Sequence, residues 1–309
     1  MVYLALNIAF ASSFTLCIKW VQNRKREDIV TVGMINYIVA AALTLPEFLS
    51  ADSQASESGL DTSAILSGAT MGACYFIAFF FVSYAIRKVG ASASAVIGAL
   101  SILMPISCGI FIWHEQPNSL QSVGVILAVL SLVLVGGNRQ KKPEQKTATE
   151  PEAKTDETAS KTHSGQWMTP LILVVFFLLA GLSRLSQEAF KHESSSDHRP
   201  TFLLTAFVVS AIPAVAVLIA RRRRITLAEF GFGFAMGTSN ILQTHFILKS
   251  LHFLAGFVVF PVSSAGGLLL TAIVATSLLG ERLNRKTCWG VGVAVVALVL
   301  LNWLPGEAT

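Results

Sequence analysis

His114–Leu134, HEQPNSLQSVGVILAVLSLVL, and Gly280–Leu300, GERLNRKTCWGVGVAVVALVL, are two versions of one segment at a constant offset of 166 residues. Glu115 pairs with Glu281, Asn118 with Asn284, Gly124 with Gly290, Ala128 with Ala294, and Leu132–Leu134 with Leu298–Leu300. The register runs back through Gly90 and Gly256. One residue out of phase, GATMG at Gly68–Gly72 answers GFAMG at Gly233–Gly237, and Pro46 answers Pro213 at an offset of 167. Chance hydrophobic similarity would not hold a register over three helices, so the chain reads as an internal duplication.

The repeated unit is apolar throughout. Of 309 residues, 53% are hydrophobic and 13% charged, with a mean hydropathy of +0.63. Soluble domains carry about 25% charged residues, so the solvent for this surface is mostly lipid. Runs of about 20 apolar residues recur, the length that crosses a hydrocarbon core as a helix. Unpaired peptide groups are too costly in lipid for open strands, and the alternating segments of a barrel are absent. Ten spans are predicted: Val2–Trp20, Ile29–Leu49, Ala64–Ile86, Gly90–Trp113, Ser119–Gly137, Trp167–Phe190, Pro200–Ala220, Ala228–Leu251, Gly256–Leu279 and Lys286–Leu304. Between the fifth and sixth lies Asn138–Gln166, rich in Lys, Glu, Thr, Ala and Pro, which cannot bury a core and reads as a disordered linker. The expected organisation is a first repeat at 1–137, a cytoplasmic linker at 138–166 and a second repeat at 167–309.

Five is odd, so the second copy enters the membrane upside down. The expected fold class is an all-α integral membrane protein, ten transmembrane helices as two inverted five-helix repeats. Near-equivalent inverted halves can exchange conformations and expose a midplane site to each side in turn, the geometry of a carrier. Loops after spans 1, 3, 5, 7 and 9 hold 18 Lys and Arg residues, against 3 on the other side. By the positive-inside rule those loops are cytoplasmic and both termini face outside. The same distribution explains the net charge of +5 without nucleic acid. Cys17, Cys74, Cys108 and Cys288 fall in or beside apolar runs and read as small core residues. No cleavable signal peptide is expected, since the first basic cluster follows the first span.

Together these residues resemble the EamA-type members of the drug/metabolite transporter superfamily, ten-span proteins made of two EamA repeats. The resemblance is carried by Ala11-Ser12-Ser13-Phe14 with Lys19 in span 1, by Gly280-Glu281-Arg282-Leu283-Asn284, and by the Gly-containing helices Val123–Gly137 and Trp289–Trp303. It implies a transporter rather than an enzyme, in the bacterial inner membrane, with no cofactor. Members that look like this carry amino acids, drugs, nucleotide precursors and other metabolites. Three features depart from the pattern. His114-Glu115-Gln116-Pro117 stands where Gly-Glu is usual, Asn36-Tyr37 replaces an arginine in span 2, and relatives generally keep their termini in the cytoplasm.

Several residues stand out within this frame. Gly68/Gly72 and Gly233/Gly237 are GxxxG pairs that let another backbone approach closely. Pro105, Pro213 and Pro261 should kink their spans, with span 9 locally irregular before Ser263–Gly267. Glu115 and Glu281 precede Asn118 and Asn284 and read as part of helix N-termini rather than as chemistry. In span 8, Ser239, Asn240, Gln243 and Thr244 share one face, with Thr238, His245 and Lys249 nearly opposite. Polar residues at this density must meet other helices or a wet cavity. The equivalent face of span 3 carries Tyr75. In span 6, Arg184, Gln187, Glu188 and Lys191 form a stripe, read either as an interfacial ion pair or as a site for a charged or zwitterionic solute. Glu188 is the acid placed deepest for a coupling proton, and Lys19 reads as an interfacial anchor.

The expected substrate site is therefore Tyr75, Arg184, Glu188, Ser239, Asn240, Gln243, Thr244 and His245, with no metal. The expected function is a secondary carrier moving a small organic metabolite, amino acid or drug outward by alternating access, as a monomer or homodimer in the bilayer. The competing expectation is an uncoupled channel or lipid-headgroup flippase. No phosphate-binding loop supports an ATP-driven pump, and His245 alone of six histidines lies within a span, which disfavours an intramembrane enzyme.

Overall fold

The computed structural model describes residues 1–24, 27–52, 61–89, 97–136, 168–279 and 285–301. The linker Asn138–Gln166, the start of span 4 at Gly90, Glu281, Asn284 and the side chain of Lys19 lie outside the described residues. Among those described, the chain is helical with no strand. The helices are α1 (Val2–Asn23), α2 (Ile29–Asp52), α3 (Thr62–Val89), α4 (Leu103–Phe111), α5 (Ser119–Gly136), α6 (Met168–Glu193), α7 (Arg199–Arg221), α8 (Leu227–Phe253), α9 (Gly256–Leu279) and α10 (Arg285–Leu301), with a 3₁₀ turn at Ser196–His198. α1, α2, α3, α6 and α7 are long and apolar enough to cross a membrane, and shorter apolar stretches occupy Ile97–Phe111, Ser119–Ser131, Gly256–Thr271 and Gly292–Leu301. α8, at 27 residues, has the length. Its Thr238-Ser239-Asn240, Gln243 and His245 dilute its hydropathy.

The distribution of side chains is inside-out relative to a soluble protein. Leu66, Ile126, Ile212 and Ile219 are each at least 66% exposed, while Asn7, Asn36, Gln187, Glu188 and Asn240 are buried. Apolar groups meet the lipid and polar groups meet one another, as a bilayer demands.

The prolines act unequally. The chain is helical over 97–100, turns at Ser101 and Ile102, and resumes as α4. Pro105 has no N–H to offer Ser101, whose carbonyl accepts from Met104 N at 3.2 Å instead. The expected irregularity at Pro261 is not found, since α9 runs unbroken from Gly256 to Leu279. Pro261 sits near the helix start, where it removes one bond and the remaining ladder holds.

Helix pairing is selective. α1 packs on α8 and α9, α3 on α6 and α7, α2 on α7 and α8, α4 on α6 and α9, and α5 on α9 and α10. The two GxxxG pairs set the tightest approaches. A Cβ on Gly72 would lie 2.2 Å from the Ala206 carbonyl oxygen, and one on Gly237 would lie 2.8 Å from that of Asn36. Glycine alone admits such contact between backbones. At the first crossing Ser210 Oγ adds a bond to the Gly72 carbonyl at 2.9 Å.

Each end of the bundle is stitched by charge. At one, Asp28 at the start of α2 pairs with Arg221 of α7, and buried Glu229 accepts from Asp28 N at 3.0 Å and from Arg223 at 2.7 Å. Glu229 also closes a capping box with Thr226 at the start of α8. At the other end, Ser194 donates to Asp61, and Glu115 and Glu188 meet Lys191.

Candidate functional site

The second half of α6 projects Ser183, Arg184, Gln187, Glu188 and Lys191 at intervals of one, three and four residues, so they share one side of the helix. All but Lys191 and Arg184 are fully buried. The stripe resolves into two parts.

Near the helix end, Glu188 has a side chain 0% exposed. Its Oε1 accepts from Lys191 Nζ at 3.1 Å and lies 3.2 Å from His192 Nε2. Lys191 also donates to Glu115 Oε1 at 2.6 Å. Glu115 arrives from the loop between α4 and α5. There His114 takes a left-handed φ of 55° and lets Glu115 N–H donate to the Gly109 carbonyl at 2.9 Å, closing α4. The Glu115 carboxylate then accepts from Gly256 N at 3.2 Å and Phe257 N at 3.4 Å, the first amides of α9. A carboxylate at a helix N-terminus gains from the orphan N–H groups and the dipole. Burial pushes the Glu115 carboxyl up, but the bond and charge of Lys191 and the Gly256 amide outweigh it and hold it below the ordinary carboxylate value. A Cβ on Gly256 would lie 2.5 Å from Glu188 Oε2, so glycine there makes room for the buried acid. Trp113 stacks on the His192 ring at 4.7 Å and 6°.

Glu115, Glu188 and His192 place ligand atoms within 4.8 Å of one another, a spacing that suits a metal. Lys191 bonds to both carboxylates, however, so the cluster already contains its cation. It is an ion-pair latch joining three segments far apart in sequence.

One turn deeper, the Tyr75 hydroxyl of α3 lies among Thr244 of α8 and Arg184, Ser183 and Gln187 of α6. Arg184 Nη1, Ser183 Oγ and Gln187 Oε1 are buried without a hydrogen-bond partner. Gln187 Nε2 approaches Met71 Sδ at 3.6 Å. This cluster is polar and cationic, with one orphan donor in Arg184 and orphan oxygens in Ser183 and Gln187.

Of the residues expected in the site, Tyr75, Arg184 and Thr244 converge here, and Glu188 sits next to them within the latch. Asn240 and Gln243 are engaged elsewhere. Asn240 Nδ2 donates to Asn36 Oδ1 of α2 at 3.3 Å, and Gln243 Nε2 donates to Asn240 Oδ1 at 3.0 Å. The Gln243 carbonyl accepts from Asn7 Nδ2 of α1 at 2.7 Å. Ser239 meets Ser13 of α1 at 3.4 Å, and Thr244 Oγ1 bonds back to the Asn240 carbonyl at 2.9 Å. His245 points away, with Nδ1 3.5 Å from Glu47 of α2. Sequence reasoning did not assign Ser183, Asn7 and Asn36 to this region. Asn7 and Asn36 are isolated amides in apolar runs, which was the available signal, whereas Ser183 adjoins Arg184 in the polar stripe of α6. Asn118 does cap α5, exchanging bonds with Gln121 at 2.8 and 3.0 Å.

Comparison with known proteins agrees with this architecture. Residues 1–137 match the EamA-like transporter family, which belongs to the drug/metabolite transporter superfamily. No curated protein matches the chain. Among 28 matching solved chains, one crystal structure superposes with a TM-score of 0.66 at 12% identity, covering 97% of this chain and 95% of its own. At that identity the likeness is one of fold.

Proposed function

We propose that this protein, with its EamA-like first 137 residues, is a secondary carrier moving a small organic solute by alternating access. Its units would be 1–137 and 167–309, two inverted five-helix repeats joined by 138–166. The observation that carries this reading is the exchange symmetry of the helix pairs. Swapping helices 1–5 with 6–10 turns α1–α8 into α6–α3, α2–α8 into α7–α3, and α1–α9 into α6–α4. The pairs α2–α7, α4–α9 and α5–α10 map onto themselves. The pairs α5–α9 and α9–α10 lack an equally packed counterpart among the described residues. The pairs that do map give the fold two related ways to close, one at each end.

The cluster around Tyr75, Arg184 and Thr244 would hold the solute, with Glu188 available for a coupling proton. Ser239, Asn240 and Gln243 would form the wall behind it, and His245 a contact toward the Glu47 end. The 18-to-3 charge bias supports a plasma-membrane orientation with both termini outside and the Glu115 latch on the outer face. Outward transport is the direction proposed. Purified protein in proteoliposomes, screened with labelled metabolites, tests the reading. A carrier gives saturable flux with counterflow, whereas flux linear in concentration with no counterflow would refute it in favour of a pore.

A further inference from the structure

We propose that the α6 cluster binds the carboxylate of a monoanionic organic solute, with Arg184 as its counter-ion; this rests on the carrier reading and names its substrate class. Arg184 keeps its charge at any physiological pH, and a buried charge is stable only when paired and hydrogen-bonded. Its Nη1 is nevertheless buried without a partner. Among the described residues no carboxylate lies within 4.0 Å of it. The acid one turn along α6, Glu188, is engaged by Lys191 at 3.1 Å and His192 at 3.2 Å. The protein therefore supplies a guanidinium and leaves its counter-charge to something else.

The neighbours define what fits. A guanidinium presents a planar fork matched to two oxygens of one anion. Ser183 Oγ is buried and unpartnered, and the Tyr75 hydroxyl lies beside it, so hydroxyl donors flank the fork. With a single cation among neutral groups, a carboxylate cancels the charge and a phosphate dianion overshoots it. A second group of cationic side chains lies beyond the latch. A small cavity near the end of α6 is lined by Lys191, Arg199, His252 and Ser194, and Arg199 Nε is likewise buried and unpartnered.

The test is thermal melting of the purified full-length protein with benzoate, benzamide or inorganic phosphate, on wild type, Arg184→Gln and Arg184→Lys. Benzoate should raise the wild-type melting temperature by several degrees, saturably, with benzamide and phosphate inert. Arg184→Gln should abolish the shift while melting at or above wild type without probe, because an unpaired buried charge has been removed. Arg184→Lys should retain a weakened shift. Four results would overturn the proposal: no shift with benzoate, an equal shift with benzamide, a shift with phosphate alone, or marked destabilisation by Arg184→Gln without probe. Melting does not depend on transport, so the two readings fail separately. A benzoate shift that needs Arg184, without saturable flux, would sink the carrier and leave the site. Saturable flux of neutral or cationic solutes without a benzoate shift would do the reverse.

Discussion

Replacing Glu115 with Gln should open the latch between α4, α6 and α9. The carboxylate is 8% exposed and receives Lys191 at 2.6 Å together with two α9 amides at 3.2 and 3.4 Å. A glutamine keeps an acceptor for the amides but turns an NH₂ group toward an ammonium. Losing a hydrogen bond to a charged group costs about 1.5–3 kcal/mol, and stranding a partly buried charge costs roughly 3–5 kcal/mol. Lys191 keeps Glu188 as a partner at 3.1 Å, so the lower figure applies, about 2–3 kcal/mol for Glu115→Gln. For a chain of this size that is roughly 3–5 °C in melting temperature. The pH dependence gives a sharper check. The Glu115 carboxyl is held below its ordinary value of 4.5. A depressed carboxylate contributes its full stability above the unfolded value and loses it as pH falls through the folded one. The gap between wild type and Glu115→Gln should therefore be complete at neutral pH and shrink below about pH 4.5. A variant melting within a degree of wild type at pH 7.5, or a gap unchanged at pH 4, would refute the latch.

Other parts of the structure make their own demands. Gly72→Val and Gly237→Val should each abolish monodisperse protein in size-exclusion chromatography, since overpacking costs about 1–3 kcal/mol even where the clash is softer than with the Ala206 and Asn36 carbonyls. Gly231→Ala, with nothing within 4 Å of its Cβ, should elute as wild type, and equal behaviour of all three would discredit the close approaches. Cysteines at Ser195 and Ile225 should label from opposite faces, Ser195 from outside in intact cells; labelling of both from outside would overturn the orientation. Asn240→Ala should lower the melting temperature, as loss of its interhelical bond to Asn36, worth about 0.6 kcal/mol, predicts. Gln243→Ala should do so less, since its side-chain bond runs within α8. An unchanged melting temperature with weakened solute affinity would instead make both residues direct ligands.

The elements of this fold were legible because the membrane imposes one rule on each span. Among the described residues every one of the ten apolar runs carries helix, the fourth in two pieces, and α8 at Leu227–Phe253 encloses the predicted Ala228–Leu251 almost residue for residue. The GxxxG pairs were equally plain, because spacing of four puts both glycines on one face whatever they meet. What they meet was not plain, since no local pattern says that Gly72 faces Ala206 rather than another helix. The prolines show where local rules stop. Pro105 sits where the helix breaks, whereas Pro213 and Pro261 sit inside unbroken helices, and no local residue pattern separates them.

The site was legible in kind and not in arrangement. Arg184 and Glu188, one turn apart on α6, invite reading as a mutual ion pair, and a sequence cannot exclude it. In the structure Glu188 is taken by Lys191, three residues on. The second acid on that lysine, Glu115, comes from 76 residues away, and its helix terminus at Gly256 from 141. Glu115 looked like an ordinary capping acid for the helix that follows it. It does cap a helix, α9 rather than α5, and it holds the same Lys191 that takes Glu188. With Glu188 so engaged, Arg184 has no carboxylate within ion-pair distance among the described residues. The polar stripe of α6 divides into an ion-paired end, where Glu188 Oε2 alone still lacks a partner, and an unpaired end at Arg184, and the unpaired end is where a solute's own charge would complete the fold.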